Sequence, residues 1–233
     1  MEEVRSVDKF HGVAVSGDIE VHAETNASVA SSLKLKGESD AVSGITTHVD
    51  FWGTLLLRRI EGTASGRVVA KVTVPEPLTF VGASTGGTII ADNVSGSVVV
   101  SNRARIGIKQ LNSTNSTNVV ASSYSSISIS EGRVPHVSAS ASDHASIDLG
   151  ALHATFSSIS VSSASSVVNG TVEYGSISVS SGSSIRMNAT GEVGISCSES
   201  AVHLSGGGRV TQWSNWSCTM NIARRLEAAD VLV

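Results

Sequence analysis

Four side chains that could do acid–base or metal chemistry lie close together in the stretch "SDHASIDLGALH", at Asp143, His144, Asp148 and His153. Carboxylates and imidazoles gathered in one groove are groups with which carbohydrate-cleaving enzymes transfer protons or hold a metal ion. These residues are therefore the first candidates for a catalytic site. Whether they act together depends on the elements that carry them.

The other histidines show no metal-ligand spacing, because they are dispersed along the chain. They are His11, His22, His48, His136 and His203. The glycines of "SGGGR" lack the strand-to-helix context of a phosphate-binding loop, and the sequence has no Gly- and Asp-rich calcium-binding repeat. We therefore expect neither a cofactor nor a metal site.

Composition predicts an all-β fold. The 233 residues are 40% hydrophobic and only 15% charged, which is too apolar for a chain disordered by composition. Aromatic residues make up only 4%, and the apolar residues are mostly Val, Ile, Ala and Leu, which suits stacked strands.

Charge and hydropathy exclude two classes of partner. The net charge is −4 and the Lys and Arg residues are scattered, so we expect neither nucleic acid nor an anionic membrane as partner. No apolar run approaches the roughly 20 residues of a membrane span. The start, "MEEVRSVDKF", has acids where a secretory signal is basic and then apolar, so we expect no signal peptide in this chain.

Apolar pairs return in two ladders at intervals of roughly 18–21 residues, between which serine alternates with the period of a strand. The first ladder is Val98/Val100, Val119/Ala121, Val137/Ala139, Ile159/Val161, Ile177/Val179 and Ile195/Cys197. The second is Ile106/Ile108, Ile127/Ile129, Ile147/Leu149, Val167/Asn169, Ile185/Met187 and Val202/Leu204.

A repeat of roughly 18–21 residues cannot bury its apolar face alone. Successive repeats must therefore stack, with strands about 4.8 Å apart. The pattern therefore predicts a right-handed parallel β-helix, since connections between parallel strands prefer that hand. The serines form its surface. We expect six isoleucines of the ladders to be buried: Ile127, Ile147, Ile159, Ile177, Ile185 and Ile195.

Three regions are predicted along the chain. Residues 1–80 form irregular N-terminal coils, residues 81–220 form regular coils, and residues 221–233 form a C-terminal cap or tail. The rungs of the first region are Val13/Val15, Leu33/Leu35, Leu55/Leu57 and Val72/Val74, and Pro75 and Pro77 mark an edge, a bulge or a boundary after them. Asn221, Ile222, Leu226 and Ala229 fit a short capping helix with Asn221 as N-cap, or else a link to a following domain.

In a β-helix the four candidate residues do not form a catalytic groove. Asp143 and His144 fall in the turn before the Ile147/Leu149 strand, and Asp148 points outward from it. The equivalent places one coil later hold no carboxylate, since they are occupied by Ser163, Ala164 and Val168. We therefore interpret the four residues as solvated turn and surface groups and predict no catalytic residues.

The two cysteines, Cys197 and Cys218, are predicted to stack. One further coil of 21 residues carries Ile195/Cys197 onto Trp216/Cys218, at a spacing that permits a disulfide. Side chains in register point the same way, however, which makes the torsion of a relaxed disulfide awkward to reach. We expect buried, reduced thiols with Trp216 inward, and a disulfide is the alternative.

The segment "VDKFHGVAVSGDIEVHAE", the later "VAKVTVPEPLTFVGASTGGTIIADNVSG" and the Ser-rich repeats resemble the bacterial family "putative auto-transporter adhesin, head GIN domain" over roughly residues 7–210. Phe10, Gly12 and Val13 match its Phe-x-Gly-Val/Ile segment, and Val72, Val74 and Pro75 match its Val-x-Val-Pro strand. The resemblance implies a β-helical domain at the cell surface or outside the cell, with adhesion as its role.

Three function classes remain open. The first is a non-enzymatic surface scaffold that binds a glycan or surface protein through the solenoid face and loops such as "NSTNSTN". The second is a carbohydrate-active β-helix enzyme, a polysaccharide lyase or hydrolase. The third is an ice- or surface-binding protein that uses serine columns at Ser158/Ser160, Ser176/Ser178 and Ser196/Ser198. We favour the first, because no charged groove forms and an ice-binding face should favour threonine.

Seven asparagines stand in the Asn-x-Ser/Thr pattern: Asn26, Asn93, Asn112, Asn115, Asn169, Asn188 and Asn215. A chain this rich in Ser and Thr produces several such matches by chance, so we interpret most of them as turns. Glycosylation stays open, because it requires a eukaryotic secretory source.

Overall fold

The computed structural model describes residues 1–64 and 66–222. Over these residues the chain is a β-solenoid of about seven turns, with 67% of the described residues in strands and 2% in helix. All strands of the described residues belong to one continuous sheet that winds around an apolar core.

The N-terminal part contains nine strands and one short helix: β1 (Glu2–Arg5), β2 (Gly12–Ser16), β3 (Ile19–Thr25), β4 (Ser32–Gly37), α1 (Ser39–Ser43), β5 (Ile45–Val49), β6 (Thr54–Arg59), β7 (Val68–Val74), β8 (Leu78–Ser84) and β9 (Thr88–Val100). The remaining strands are β10 (Arg105–Asn112), β11 (Ser116–Ala121), β12 (Ser126–Ala141), β13 (Ser146–Asp148), β14 (Ala151–Val161), β15 (Ser166–Val179), β16 (Ser184–Ala189), β17 (Glu192–Ser198), β18 (Ala201–Ser205), β19 (Arg209–Trp216) and β20 (Thr219–Ile222).

Parallel pairing between successive coils confirms the two ladders over most of their length. Ile159 pairs with Ile177, which pairs with Ile195 in the following coil. In the second ladder Ile127 pairs with Ile106 on one side and Ile147 on the other. The six isoleucines predicted to be inward are all buried, none with more than 2% of its surface exposed.

The register of one rung in the first ladder was predicted wrongly. Ala139, not Val137, pairs with Ile159, so the inward pair of that coil is Ala139/Ala141. Val137 is also buried, beside Ser157. Since inward residues recur at every second position, a shift of two keeps apolar residues inward and cannot be detected from the alternation.

Asn169 is not an inward residue of the second ladder. The pairing of β15 with β16 shifts between Val168 and Thr171, and Asn169 lies there with φ +62° and an exposed side chain. Gly170 is buried instead, and a Cβ on it would approach the Leu149 Cβ to 3.0 Å. The bulge therefore turns the polar asparagine to solvent and leaves the narrow inward space to a glycine.

The N-terminal rungs were only partly right. Val13/Val15 and Leu55/Leu57 are stacked in parallel, but they pair with each other directly, although Leu33/Leu35 was predicted to lie between them. Leu33/Leu35 lies on β4, which runs antiparallel to β7 and β1, and Val72 pairs with Ala23 of β3. These pairs are buried like the others, so their apolar pattern does not distinguish antiparallel strands from coils.

At the C-terminal end, Asn221 and Ile222 belong to strand β20, so Asn221 is not a helix N-cap. Asn221 pairs with His203 in the parallel ladder of β18 and β20. The remaining residues of the predicted capping helix, Leu226 and Ala229, lie outside the described residues.

A disulfide joins Cys197 and Cys218, with Cα atoms 6.1 Å apart, so the prediction of reduced thiols was wrong. The solenoid does not insert a 21-residue coil here. Cys197 pairs with Asn215, which places Cys218 three positions beyond the register neighbour, in the turn after β19. The objection that in-register side chains point the same way therefore does not apply. Trp216, which we expected inward, is 74% exposed.

Candidate functional site

One corner of the solenoid is built from a repeated turn, in which two successive residues adopt left-handed backbone with φ between 53° and 64°. The pairs are Asn102/Arg103, Ser123/Tyr124, Asp143/His144 and Ser163/Ala164. Most residues avoid this region, but Asn and Asp tolerate it, which explains some of the turn residues. The second residue of each pair points away from the core and is exposed.

Some serines near this corner lie inside the protein and are not part of its surface. Ser165 and Ser183 are buried, and their hydroxyls accept hydrogen bonds from the backbone N–H groups of Ala145 and Ser165, one coil earlier, at 3.1 and 3.2 Å. Ser200 accepts from Ser183 in the same way. Serine is suited to this position because it is small and satisfies a buried N–H.

The structure distributes the four candidate residues between this turn and the strands. Asp143 and His144 lie in the turn before the Ile147/Leu149 strand, as predicted, and their backbone is left-handed. Asp148 Oδ1 accepts hydrogen bonds from the Gly150 N–H at 2.9 Å and from Asn169 Nδ2 at 2.7 Å, and so it organises local backbone. His153 is exposed on β14. Among the described residues, no three His, Cys, Asp or Glu side chains are placed to hold a metal ion.

Two of the dispersed histidines have hydrogen-bond partners nearby. His11 Nδ1 lies 2.8 Å from Thr79 Oγ1, and His22 Nε2 lies 2.7 Å from Glu20 Oε1. Glu20 is also bound by Arg67, at 2.5 Å. The hydrogen bonds from Arg67 and then from His22 hold the pKa of the Glu20 carboxyl below its usual value, although burial opposes the shift.

The serine face is the outward side of residues 116–121, 136–141, 156–161, 174–179 and 192–198, which stack in successive coils. Two columns of hydroxyls run along it, and they differ from the predicted columns only in the last coil. The first is Ser138, Ser158 and Ser176, followed by Gly194, and the second is Ser140, Ser160, Ser178 and Ser196. The predicted pair Ser196/Ser198 was therefore two residues out of register.

An aromatic column, His136, Phe156 and Tyr174, borders the serine face. These residues are register neighbours in three successive coils. The rings of His136 and Phe156 stack with centroids 5.0 Å apart and planes at 14°, and Phe156 and Tyr174 lie 5.7 Å apart at 31°. Phe156 is 48% exposed and Tyr174 44%, so both keep large apolar areas in water.

The sequence interpretation did not identify this column, although a signal was present. Phe156 and Tyr174 are 18 residues apart, each two residues before a serine that the strand period places outside. The inward ladders do not reveal this spacing, because they consist mainly of aliphatic residues and aromatic residues make up only 4% of the chain. An aromatic residue at an outward position of a serine-lined strand departs from the local pattern.

Further apolar surface lies at the N-terminal end of the same face. The lining of a shallow depression of about 200 Å³ includes Ala14, Leu56, Phe80, Gly82 and Val99, with Arg58 and three serines beside them. The face therefore changes along the solenoid axis from apolar side chains to serine.

A second exposed aromatic pair lies on the turn between β5 and β6. Phe51 is 94% exposed and Trp52 75%, and their rings meet edge to face at 5.5 Å. Asp50 Oδ1 orders this turn, since it accepts the N–H groups of Trp52 and Thr54, both at 2.9 Å.

Within residues 1–64 and 66–222, no helix has the length and apolar character needed to cross a membrane.

Comparison with solved structures supports the fold. A putative adhesin from Parabacteroides merdae ATCC 43184 superposes with a TM-score of 0.84 at 12% identity, and 96% of each chain is covered. A putative adhesin from Parabacteroides distasonis ATCC 8503 gives 0.83 at 12% identity, again over 96% of each chain. A putative lipid binding protein from P. distasonis ATCC 8503 gives 0.59 at 15% identity, with the same coverage. At these identities the likeness concerns the fold.

No curated protein matches the chain. The model of one family, described as "Putative auto-transporter adhesin, head GIN domain", matches residues 9–191. That span includes the serine face up to the last coil, the aromatic column and the corner turns from Asn102 to Ala164. Because the match covers most of the sequence, the chain belongs to this family.

Proposed function

We propose that the chain is a non-enzymatic, adhesin-like binding domain that acts at a cell surface or outside the cell. It holds its partner on the serine face, along the aromatic column. The observation that carries the proposal is the half-exposed state of Phe156 and Tyr174, because a partner covering these rings would remove apolar area from water. The family name and the adhesin names of two structural neighbours support the same role.

The chemistry of the face suits a flat, extended partner. Aromatic anchors supply much of the binding energy in protein interfaces, while the surrounding hydroxyls both donate and accept hydrogen bonds. The supporting strands are hydrogen-bonded on both sides in successive coils, so little conformational freedom is lost on binding. With strands about 4.8 Å apart, the five segments extend the face roughly 20 Å along the solenoid axis.

The test is binding of the purified chain to an array of cell-surface glycans and to immobilised surface proteins. A variant carrying Phe156→Ser and Tyr174→Ser should lose at least about tenfold in affinity, because two rings of this exposure are removed from the interface. Ile90→Ser is the matched control. Ile90 is 46% exposed but lies on β9, in a ladder with His22 and Gly107 outside the serine face. Equal loss in the control, or unchanged binding in the double variant, would contradict the proposal.

Substitution of Asp143 and Asp148 distinguishes the binding proposal from the enzymatic alternative. Asp143→Asn and Asp148→Asn should leave binding to the array unchanged, since Asp143 lies in a surface turn and Asp148 bonds local backbone. Polysaccharide cleavage by the wild-type chain that is lost in either variant would refute the non-enzymatic proposal.

A further inference from the structure

A groove runs along the corner of the solenoid at the border of the serine face opposite the aromatic column. This corner groove has a volume of about 590 Å³, and its lining includes Asp18, Gly86, Asn102, Arg103 and Tyr124. Three successive left-handed turns form its floor, because the Gly86 N–H bonds to the Asn102 carbonyl and the Arg103 N–H to the Ser123 carbonyl, both at 3.0 Å.

Gly86 keeps the groove open. Its φ of +80° lies in the left-handed region, and a Cβ there would come within 2.6 Å of Asp18 Oδ1. At the corresponding corner of the next coils the chain carries the larger side chains of Arg103 and Tyr124. The missing side chain therefore leaves a notch between the carboxylate of Asp18 and the guanidinium of Arg103.

The polar groups that line this notch are available to a ligand. Asp18 and Arg103 are exposed, and neither side chain takes part in an ion pair or a hydrogen bond within the described residues. Arg103 offers N–H donors in a planar fork, Asp18 offers acceptor oxygens, and the Asn102 amide offers both. Their formal charges cancel, so the site suits a neutral ligand that both donates and accepts hydrogen bonds.

Tyr124 gives the groove an apolar wall with a fixed orientation. Its ring is 64% exposed and stacks on His144 of the following coil, with centroids 4.8 Å apart and planes at 9°. Since His144 covers one ring face, the opposite face is turned towards the coil of Arg103, on which the groove lies. The stacking holds the ring before any ligand arrives, which lowers the entropic cost of binding.

We propose that the corner groove binds a pyranose residue of a glycan. The weakly positive C–H bonds of a sugar ring pack on the negative face of Tyr124, while neighbouring hydroxyl groups donate to Asp18 and accept from Arg103 and Asn102. A mostly apolar or singly charged ligand would form fewer hydrogen bonds with these polar groups and would therefore gain less affinity from them. The site is separate from the aromatic column and does not depend on the proposed role of that column.

The experiment uses the complete chain and the methyl glycosides of glucose, galactose, mannose, fucose and N-acetylglucosamine, each followed by saturation-transfer NMR and titration calorimetry. At least one glycoside should bind, with saturation transfer strongest for the protons on one face of its ring. Tyr124→Asn should weaken that glycoside at least about tenfold. Asparagine tolerates the left-handed backbone at this position, so the variant should fold like the parent.

Two further substitutions test the contacts of Asp18 and Arg103 separately. Asp18→Asn keeps side-chain size and removes the charge, whereas Arg103→Gln removes the charge and shortens the side chain, and each should weaken binding of the same glycoside several-fold. Arg105→Gln is the matched control, because Arg105 is also exposed and lies on β10 only two residues later, outside the groove lining. It should leave affinity unchanged.

The outcomes separate this site from the aromatic column. Absence of binding for all five glycosides, or full affinity in Tyr124→Asn, overturns the corner groove. Loss of glycoside binding in Phe156→Ser with retention in Tyr124→Asn also overturns it and assigns the sugar to the column. A loss confined to the Tyr124, Asp18 and Arg103 variants supports it, even if the column binds nothing.

Discussion

The Cys197–Cys218 disulfide should set the stability of the last coil. It closes a loop with a sequence separation of 21 residues. In the chain-entropy model a loop of this length stabilises the folded state by about 3 kcal/mol. In a solenoid each coil contacts only its neighbours. Reduction of the disulfide should therefore destabilise β19 and β20 and leave the central coils unaffected. A free-energy change of about 3 kcal/mol corresponds to roughly a hundredfold in a local opening equilibrium.

Hydrogen exchange followed by mass spectrometry measures this opening strand by strand. After reduction, the amides of β19 and β20 should exchange on the order of a hundredfold faster, while those of β12 and β14 keep their rates. Cys218→Ser is the control, and its exchange should be fast with or without reductant. Cys218 is the better position for the substitution, because Cys197 is only 4% exposed and a serine there would bury a hydroxyl.

Two results would refute this reasoning. Two titratable thiols in protein unfolded without reductant would show that the bond does not form. Equal acceleration of exchange in β12 and in β19 after reduction would show that the solenoid unfolds as one cooperative unit, so that the loop argument cannot be applied to one coil.

Three further predictions concern stability. Ile177→Asp should cost several kcal/mol in urea unfolding, because Ile177 is 1% exposed and stacks between two buried isoleucines. Ala164→Gly should raise the free energy of unfolding by roughly 0.5–1 kcal/mol, since Ala164 has φ +57°, whereas Ala151→Gly at the start of β14 should lower it. Glu20→Gln should lower stability at neutral pH and have no effect in strong acid. The lowered pKa of Glu20 means that its contribution is present above the unfolded-state pKa and is lost as pH falls through the folded-state pKa.

The coil period and the identity of the core could be predicted from the sequence, because both follow from short-range spacing. Inward side chains of a solenoid must repeat in every coil, so Ile159, Ile177 and Ile195 show their stacking in one dimension. A residue such as Leu33 carries no such information. It is as deeply buried as the isoleucines, yet it lies on an antiparallel strand, since alternation reports burial and not strand direction.

The cysteine pairing could not be predicted because it depends on absolute register. Whether Cys197 faces Asn215 or Cys218 depends on the length of the intervening coil, and no apolar alternation distinguishes the two. The stacking of Tyr124 on His144 could not be predicted either. Their stacking requires the same turn in consecutive coils, and the residue types at this corner differ from coil to coil.

In such a fold, functional signals are expected at outward positions and not at inward ones. Inward positions are constrained by the coil above and the coil below, so an isoleucine there reports packing alone. Serine occupies the outward positions beside the aromatic column in residues 136–141, 156–161 and 174–179, because a small hydroxyl meets solvent without strain. Some outward residues are aromatic and not serine, such as Phe156, Tyr174 and Tyr124. They keep 44–64% of their surface in water, so they bury less apolar area than a core residue does. Their exposure costs solubility, so a partner that covers them is the physical reason we infer for their presence.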